Sequence, residues 1–223
     1  MSKKLSLVAT PIGNLEDISL RALRILKEAD FIFTEDTRVI KKLLDRYKIK
    51  KALRAYNPHN KVKQAELRKL LKEGKHIALC SDAGTPGISD PGPEIIKLIS
   101  EDDITIESIP GASALITAWS LAGITGDNFL FLGFLPHKKG RQIILKEIKD
   151  SKYPIIIYES KHRIMKLLKE MMVMEIDKNL VIGRELTKMH EKMYRGKALE
   201  ILETLKNNPV EQKGEFVVII DKK

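Results

Sequence analysis

Strand-like and helix-like segments alternate along almost the whole chain. Short apolar runs, such as 77–80, alternate with segments whose apolar residues recur every three or four positions. The clearest periodic segment places Ile164, Leu167, Leu168 and Met171 on one face of a helix. A second helix is predicted over 18–29, with Asp17 or Ser19 able to cap its start. This alternation is typical of α/β proteins, in which helices follow the strands and pack on the sheet. The sequence therefore predicts an α/β protein.

A break at 123–127, which contains two glycines, lies near the middle of the chain. The 223 residues are enough for two domains of ordinary size. Strand and helix signals continue on both sides of the break. We therefore predict an N-terminal α/β domain over 1–124 and a C-terminal α/β domain over 125–223, each a sheet flanked by helices.

The chain is basic, with a net charge of +10 and a pI near 9.5. The positive charge is concentrated in 38–54, 137–142 and 160–169, which favours a polyanionic partner such as nucleic acid. Aromatic residues make up only 5% of the chain, so we expect phosphate contacts rather than base stacking. A single cysteine and the lack of a long apolar run predict a cytoplasmic protein without a membrane span.

Three loops rich in glycine and proline follow predicted strands in the first half: 10–14, 81–92 and 109–113. In a parallel sheet, such loops meet at one edge, where α/β proteins bind ligands. Backbone N–H groups at helix starts suit a carboxylate, whereas Asp82 and Asp90 suit a cation or ribose hydroxyls. The pattern indicates a pocket for a ligand that carries both a carboxylate and a positive centre.

Several common catalytic motifs do not occur in the sequence. It contains no GxGxxG fingerprint, no Walker A motif and no GxSxG nucleophile elbow. The five histidines are scattered and lack metal-ligand spacing, so we predict no metal site.

Seven motifs together resemble the ribosomal RNA small subunit methyltransferase I family of the tetrapyrrole methylase superfamily. They are VATPIGNLEDIS, FTEDTR, SDAGTPGISDPG, IPGASA, FLGFLP, YES-x-HR and GRELTK, and they span nearly the whole chain. The resemblance implies a two-domain fold with S-adenosylmethionine in a cleft between the domains. It also implies 2′-O-methylation of a cytidine in 16S rRNA of the small ribosomal subunit, and a homodimer.

The resemblance further implies which residues bind the methyl donor. These are Pro11, Gly13, Asp82, Gly84, Thr85, Pro86, Ser89, Asp90, Gly92, Pro110, Gly111, Ser113 and Tyr158.

A ribose hydroxyl is a weak nucleophile, so we expect a proton acceptor or a stabilising charge beside it. Glu35 and Asp36 are the favoured catalytic residues because they form an acidic pair at a strand end inside a basic region. Further candidates are Glu159, Glu185, Lys188 and His190, and a salt bridge to a nearby arginine is the alternative role for each carboxylate. The residues predicted to contact RNA phosphates are Arg38, His162, Arg163, Arg184 and Lys188.

Two other functions remain open at this point. Methylation of a tetrapyrrole carbon would keep the fold and the methyl donor, but the basic stretches argue against it. A non-catalytic RNA-binding assembly factor would explain the charge and leave the three loops without a ligand.

Overall fold

The computed structural model describes residues 3–222. The chain divides into two compact units, which meet in sequence between Ser113 and Ala114. Each unit contains one five-stranded sheet with helices packed on it. The expected α/β architecture is therefore confirmed. Within residues 3–222, no helix has the length and apolar character required to cross a membrane.

The first unit is built around a fully parallel sheet with the strand order β3-β2-β4-β1-β5. A helix follows each of its first four strands. The elements are β1 (Lys4–Val8), α1 (Leu20–Glu28), β2 (Phe31–Thr34), α2 (Thr37–Arg46), β3 (Ala52–Ala55), α3 (Lys61–Lys72), β4 (His76–Cys80), α4 (Pro93–Ile99) and β5 (Thr105–Ile109).

Apolar residues cover both faces of this sheet, as a parallel sheet requires. One core cluster joins the strands to α1 and α2 and includes Val8 and Ile25. A second joins them to α3 and α4 and includes Leu5, Tyr56 and Ile95. Because successive side chains of a strand point to opposite faces, β1 contributes to both clusters.

Polar side chains fix where the helices of the first unit begin. Ser19, Asp36 and Asn60 each accept a hydrogen bond from a backbone N–H of the first turn of α1, α2 and α3. Such caps satisfy N–H groups that have no partner inside the helix. The cap at Ser19 is one of two that the sequence predicts. Asp36 is a catalytic candidate that also has this structural role.

The second unit has a mixed sheet with the strand order β6-β7-β10-β8-β9. Only β6 and β7 are parallel; β10 lies antiparallel between β7 and β8. The elements are α5 (Ala114–Ala122), β6 (Leu130–Phe134), α6 (Arg141–Asp150), β7 (Ile155–Ser160), α7 (Ile164–Val173), β8 (Leu180–Arg184), β9 (Lys192–Gly196), α8 (Ala198–Asn207) and β10 (Glu215–Ile220). The predicted helical face of 164–171 packs in its core, with all four residues fully buried.

Candidate active site

The first two Gly/Pro loops of the first unit are joined at the carboxyl edge of its sheet. The backbone N–H of Thr10 donates to the Gly84 carbonyl at 2.9 Å, and that of Gly84 donates to the Thr10 carbonyl at 3.0 Å. The Thr10 hydroxyl also donates to the Ser81 carbonyl at 3.1 Å. These bonds hold the loops after β1 and β4 in one fixed arrangement.

The third loop lies against the other two. The Thr85 hydroxyl donates to the carbonyl of Ala112 at 3.2 Å. A β-carbon on Gly111 would lie 2.9 Å from the β-carbon of Ala9, so only glycine fits this approach. The expectation that the three loops meet at one sheet edge is therefore confirmed.

The loop at 81–92 has an unusual backbone. Gly84 and Gly87 have φ angles of +83° and +89°, and Ser89 adopts +62° although it has a β-carbon. A β-carbon on Gly92 would lie 3.2 Å from the Gly87 nitrogen, so the loop folds tightly on itself. A positive φ angle costs a non-glycine residue conformational energy, and such residues are concentrated at functional sites.

Asp82 ties the ends of β4 and β2 together. Its Oδ1 accepts the backbone N–H of Asp36 at 2.9 Å and the Thr34 hydroxyl at 3.4 Å. These contacts place Asp82 beside the acidic pair of Glu35 and Asp36. Three of the predicted site residues therefore lie together at this edge.

Glu35 and Asp36 differ in electrostatic environment. Asp36 accepts hydrogen bonds from the Arg38 side chain, at 2.6 Å from Nη2, and from its backbone N–H, and these contacts lower the pKa of Asp36 to about 2. Partial burial and the charge of Asp82 raise the pKa of Glu35. The Asp36 carboxylate is thus held by Arg38 and is weakly basic, so Glu35 is the better proton acceptor of the two.

Asp90 differs from Glu35 and Asp36 in how far its pKa lies above the ordinary value of an aspartate. Burial, and then the charges of Glu35 and Asp82, raise the pKa of Asp90 to about 7. Like charges that share a site favour proton uptake by one of the group. Among residues 3–222, no three His, Cys, Asp or Glu side chains are arranged to hold a metal ion.

A cleft of about 810 Å³ opens beside this acidic group. One wall is the turn that follows β3, from Ala55 to Asn60, and the other is 87–94. Tyr56, Asn57, His59 and Asn60 carry no motif that marks them as site residues in the sequence. The available signal was a polar turn, Tyr-Asn-Pro-His-Asn, directly after a strand of the same parallel sheet.

In the second unit, the side chain of Tyr158, a residue of β7, contacts the start of α5. Its hydroxyl accepts the backbone N–H of Leu115 at 3.2 Å, and its ring packs edge-on against Phe131 and Phe134. The contact fixes the ring of Tyr158, whose role toward the methyl donor stays a prediction.

Glu185, Lys188 and Arg184 hold the segment after β8 against its neighbours. The Glu185 carboxylate accepts from Lys188 at 3.0 Å and from the backbone N–H of Glu215 at 2.8 Å. Arg184 is 7% exposed and donates to the carbonyls of Lys213, His190 and Val210. These contacts give all three side chains a structural role, and their catalytic and RNA-binding roles stay predictions.

The other predicted RNA-contact residues differ in exposure. The Arg38 side chain is 88% exposed, and His162 is exposed beside Lys166 and Lys169. Arg163 is 12% exposed and pairs with Glu159 at 2.8 Å. Arg38 and His162 are therefore the most accessible of the predicted set.

The chain is similar to known proteins over nearly its whole length. The family model for tetrapyrrole (corrin/porphyrin) methylases matches residues 4–202. A ribosomal RNA small subunit methyltransferase I of Thermotoga maritima is 42% identical over 99% of both chains. Proteins of that name from Buchnera aphidicola and Escherichia coli O157:H7 are 48% and 42% identical, over 97% and 98% of this chain and 78% and 77% of theirs.

The chain belongs to the ribosomal RNA small subunit methyltransferase I family. As a member of this family, it is a methyltransferase. Solved structures of more distant proteins share the fold. A cobalt precorrin-4 methyltransferase has a TM-score of 0.73 at 18% identity, with 97% of this chain and 94% of that one covered. A uroporphyrin-III C-methyltransferase from Thermus thermophilus has a TM-score of 0.65 at 18% identity, with coverage of 99% and 94%.

The raised pKa of Asp90 predicts a pH-dependent stability. Between pH 4 and 7 the folded chain binds more protons than the unfolded chain, so stability falls as pH rises through the pKa of about 7. Above pH 7, we expect Asp90→Asn to unfold about 2–4 °C above the wild type, the shift that roughly 1 kcal/mol gives after solvent screening of a half-buried group.

The measurement is thermal unfolding from pH 5 to 8. The control is Asp103→Asn, which removes a carboxylate that is fully exposed, and it should follow the wild-type pH dependence. Parallel curves for Asp90→Asn and the wild type would contradict the prediction.

Proposed function

We propose that this methyltransferase transfers a methyl group from S-adenosylmethionine to the ribose 2′-hydroxyl of cytidine 1402 in 16S rRNA. The proposal is carried by one observation: the three joined loops, with the acidic residues beside them, form the sheet edge of a chain that belongs to this family. The net charge of +10 supports a nucleic acid as the acceptor.

The sheet edge fits the methyl donor in its shape and chemistry. The close approaches of Gly111 to Ala9 and of Gly92 to Gly87 leave no room for side chains there, so the loops pack tightly beside the proposed site. Asp82 and Asp90 supply acceptors for amino and hydroxyl groups. When bound, S-adenosylmethionine supplies a methyl group on a positively charged sulfur. The residues proposed to hold it are Pro11, Gly13, Asp82, Gly84, Thr85, Pro86, Ser89, Asp90, Gly92, Pro110, Gly111, Ser113 and Tyr158.

The residues of the chain have two tasks in this reaction. The three hydrogen-bonded loops orient the reactants, because an in-line displacement depends mainly on how the reactants are aligned. The acidic group at the ends of β2 and β4 provides a proton acceptor, because a neutral ribose hydroxyl attacks poorly. Glu35 suits that role better than Asp36, whose carboxylate is held by Arg38. Glu185 stays the third proposed catalytic residue, although its carboxylate is held by Lys188 and the Glu215 backbone.

Arg38 offers the clearest test of RNA contact. We expect Arg38→Ala to lower affinity for unmethylated small subunits about 3- to 10-fold and to reduce the salt dependence by about one phosphate contact. Filter binding over a series of salt concentrations measures both. Lys206→Ala is the control, because it removes a half-exposed charge that lies outside the predicted set. An unchanged salt slope in Arg38→Ala would remove this contact from the proposal.

The test of the function is transfer of labelled methyl groups to small subunits from a strain that lacks the modification. We expect the label in a 2′-O-methylcytidine-containing digestion product. Subunits that already carry the modification serve as the control and should accept no label. Label on a base carbon or nitrogen, or no label on subunits or free rRNA despite binding of the methyl donor, would contradict the proposal.

Two further properties follow from the proposed function and the resemblance. An enzyme that modifies ribosomal subunits works in the cytoplasm, and the family resemblance predicts a homodimer. Sedimentation equilibrium should give about twice the chain mass of 25.3 kDa; a monomer across the micromolar range would contradict the dimer.

A further inference from the structure

The cleft between the turn after β3 and 87–94 lies wholly within the first unit. Its volume of about 810 Å³ is in the range of pockets that bind small ligands and exceeds what a single nucleoside fills. It opens at the ends of β2, β3 and β4, and it shares 87–92 with the loop proposed to hold the methyl donor. A ligand in the cleft would therefore lie beside that loop.

Tyr56 gives the first sign that the cleft binds a ligand. The side chain lines the cleft and is 2% exposed, yet among residues 3–222 its hydroxyl has no hydrogen-bond partner. Buried polar groups are almost always paired, since an unpaired one loses its hydration without compensation. Burial and the charge of Glu94 raise the pKa of Tyr56 to about 12, so the hydroxyl keeps its proton and can donate it to a ligand.

Asn57 and Asn60 add further hydrogen-bond donors. The Oδ1 atom of Asn57 accepts the His59 backbone N–H at 2.8 Å, and that of Asn60 accepts those of Val62 and Lys63. In each residue the oxygen is occupied, so the amide NH₂ is the end left for a ligand. Both residues line the cleft.

Acceptors are contributed by Glu35, Asp90 and Glu94, which line the same cleft. Three carboxylates disfavour a phosphate, whereas carboxylates and amides together match a group with amino, carbonyl and hydroxyl functions. A nucleoside has all three, because its base carries hydrogen-bonding edges and its ribose carries hydroxyls.

Asp90 is the carboxyl group best placed to accept a proton. It follows Ser89, whose φ of +62° sets the direction of the loop. The ionisable groups around it are Glu35 and Asp82 at the ends of β2 and β4, Glu94 on α4, and His59 and Lys63 on the opposite wall. The Asp90 side chain is less exposed than that of Glu35.

We propose that this cleft binds the acceptor nucleoside of the RNA and that Asp90 accepts the proton of its ribose hydroxyl. This assignment moves the proton acceptor from Glu35 to Asp90 and replaces the donor-binding role that the resemblance implies for Asp90. The inference rests on the proposed function. The Asp90 carboxylate takes the proton as the O–H bond breaks, and the oxygen electron pair forms the new bond to the methyl carbon. The electron pair of the broken carbon–sulfur bond stays on sulfur, so charge and atoms balance.

Asp90→Asn tests the proton transfer. We expect kcat on unmethylated small subunits to fall at least 100-fold, in the range of general-base effects, with little change in KM. The Kd for S-adenosylmethionine, measured by calorimetry, separates this role from the donor-binding role that the resemblance implies for Asp90. If Asp90 faces the acceptor nucleoside, the Kd should stay within about twofold of the wild type. In the wild type, kcat/KM should rise with pH as Asp90 loses its proton, and the variant should lack that limb.

Tyr56→Phe tests the binding cleft by a readout that does not need turnover. We expect affinity for unmethylated small subunits to fall about 5- to 10-fold, the loss of one hydrogen bond. The melting temperature should be no lower than that of the wild type, because the deleted hydroxyl has no partner in the free protein. Tyr153→Phe and Asp103→Asn, which alter exposed side chains, are the matched controls and should behave as the wild type in both assays.

Each contrary result has a distinct meaning. Weaker binding of S-adenosylmethionine by Asp90→Asn would assign Asp90 to the methyl donor and overturn the inference. A lower melting temperature with unchanged subunit affinity in Tyr56→Phe would assign the tyrosine to the core and also overturn it. Wild-type transfer with normal kinetics in both variants would overturn the inference alone, whereas no transfer by the wild type would overturn the proposed function.

Discussion

Asp82→Ala is expected to lower kcat/KM for the methyl donor about 100-fold. The carboxylate accepts the Asp36 N–H at 2.9 Å and the Thr34 hydroxyl at 3.4 Å, and it lies in the loop proposed to bind the methyl donor. The substitution removes the tie between the ends of β2 and β4 together with a charge that faces the site. Loss of charge-assisted hydrogen bonds worth about 3 kcal/mol corresponds to this factor.

Asp82→Asn separates the two contributions. The amide oxygen can still accept both hydrogen bonds, so the loop should keep its position while the negative charge is lost. We expect a decrease of about 10-fold for this variant, with a melting temperature near that of the wild type. Steady-state kinetics with varied S-adenosylmethionine measures both variants.

Asp45→Asn provides the control for the Asp82 variants, because Asp45 is an exposed partner of Lys41 on α2. It should leave kcat/KM unchanged. If Asp82→Ala retained wild-type kcat/KM, neither the loop tie nor the charge would matter for the methyl donor, and Asp82 would leave the proposed site.

Glu159→Ala is expected to cost the second unit about 3–5 kcal/mol of unfolding free energy, the usual result of breaking a buried ion pair from one side. Glu159 is 1% exposed and accepts from Arg163 Nε and from the Ser160 backbone N–H, both at 2.8 Å. Arg141, which is 3% exposed, lies 3.8 Å from its other oxygen and pairs with Glu170 at 2.7 Å. The substitution would leave two arginines short of a buried counter-charge.

Urea unfolding measures this loss, with the second unit's own transition used where the two units unfold separately. Glu175→Ala is the control: Glu175 is 86% exposed and pairs with Lys149 at 3.7 Å, so we expect a change within about 0.5 kcal/mol. A loss below about 1 kcal/mol for Glu159→Ala would show that the arginines find other partners. It would also return Glu159 to the catalytic candidates.

The alternation of strand and helix signals was enough to predict the fold class, because both periods are local properties of the chain. The three Gly/Pro loops were predictable as neighbours for a similar reason: successive loops after parallel strands leave from one sheet edge. Ser19 as a helix cap and the helical face of 164–171 also follow from short-range patterns. The seven motifs added the family, which the comparisons confirm.

Which carboxylates remain available for chemistry was decided only by tertiary contacts. Glu35 and Asp36 are adjacent and alike in sequence, yet Arg38 holds Asp36 and lowers its pKa, while partial burial and the charge of Asp82 raise the pKa of Glu35. Asp82 comes from a different strand, 46 positions from Asp36. The pKa of a carboxyl depends on charges and burial within a few ångströms, and sequence distance does not report either.

Burial of charge and the order of strands were also decided by the tertiary structure. The basic sequence predicts that Arg184 contacts phosphate. In the structure, its guanidinium donates to three backbone carbonyls within 190–213. The last strand, β10, enters between β7 and β8 instead of extending the edge, and five of its six residues are buried there. Tyr56 belongs to the core of one face and also lines the cleft for the same physical reason: packing brings together residues that the chain keeps apart.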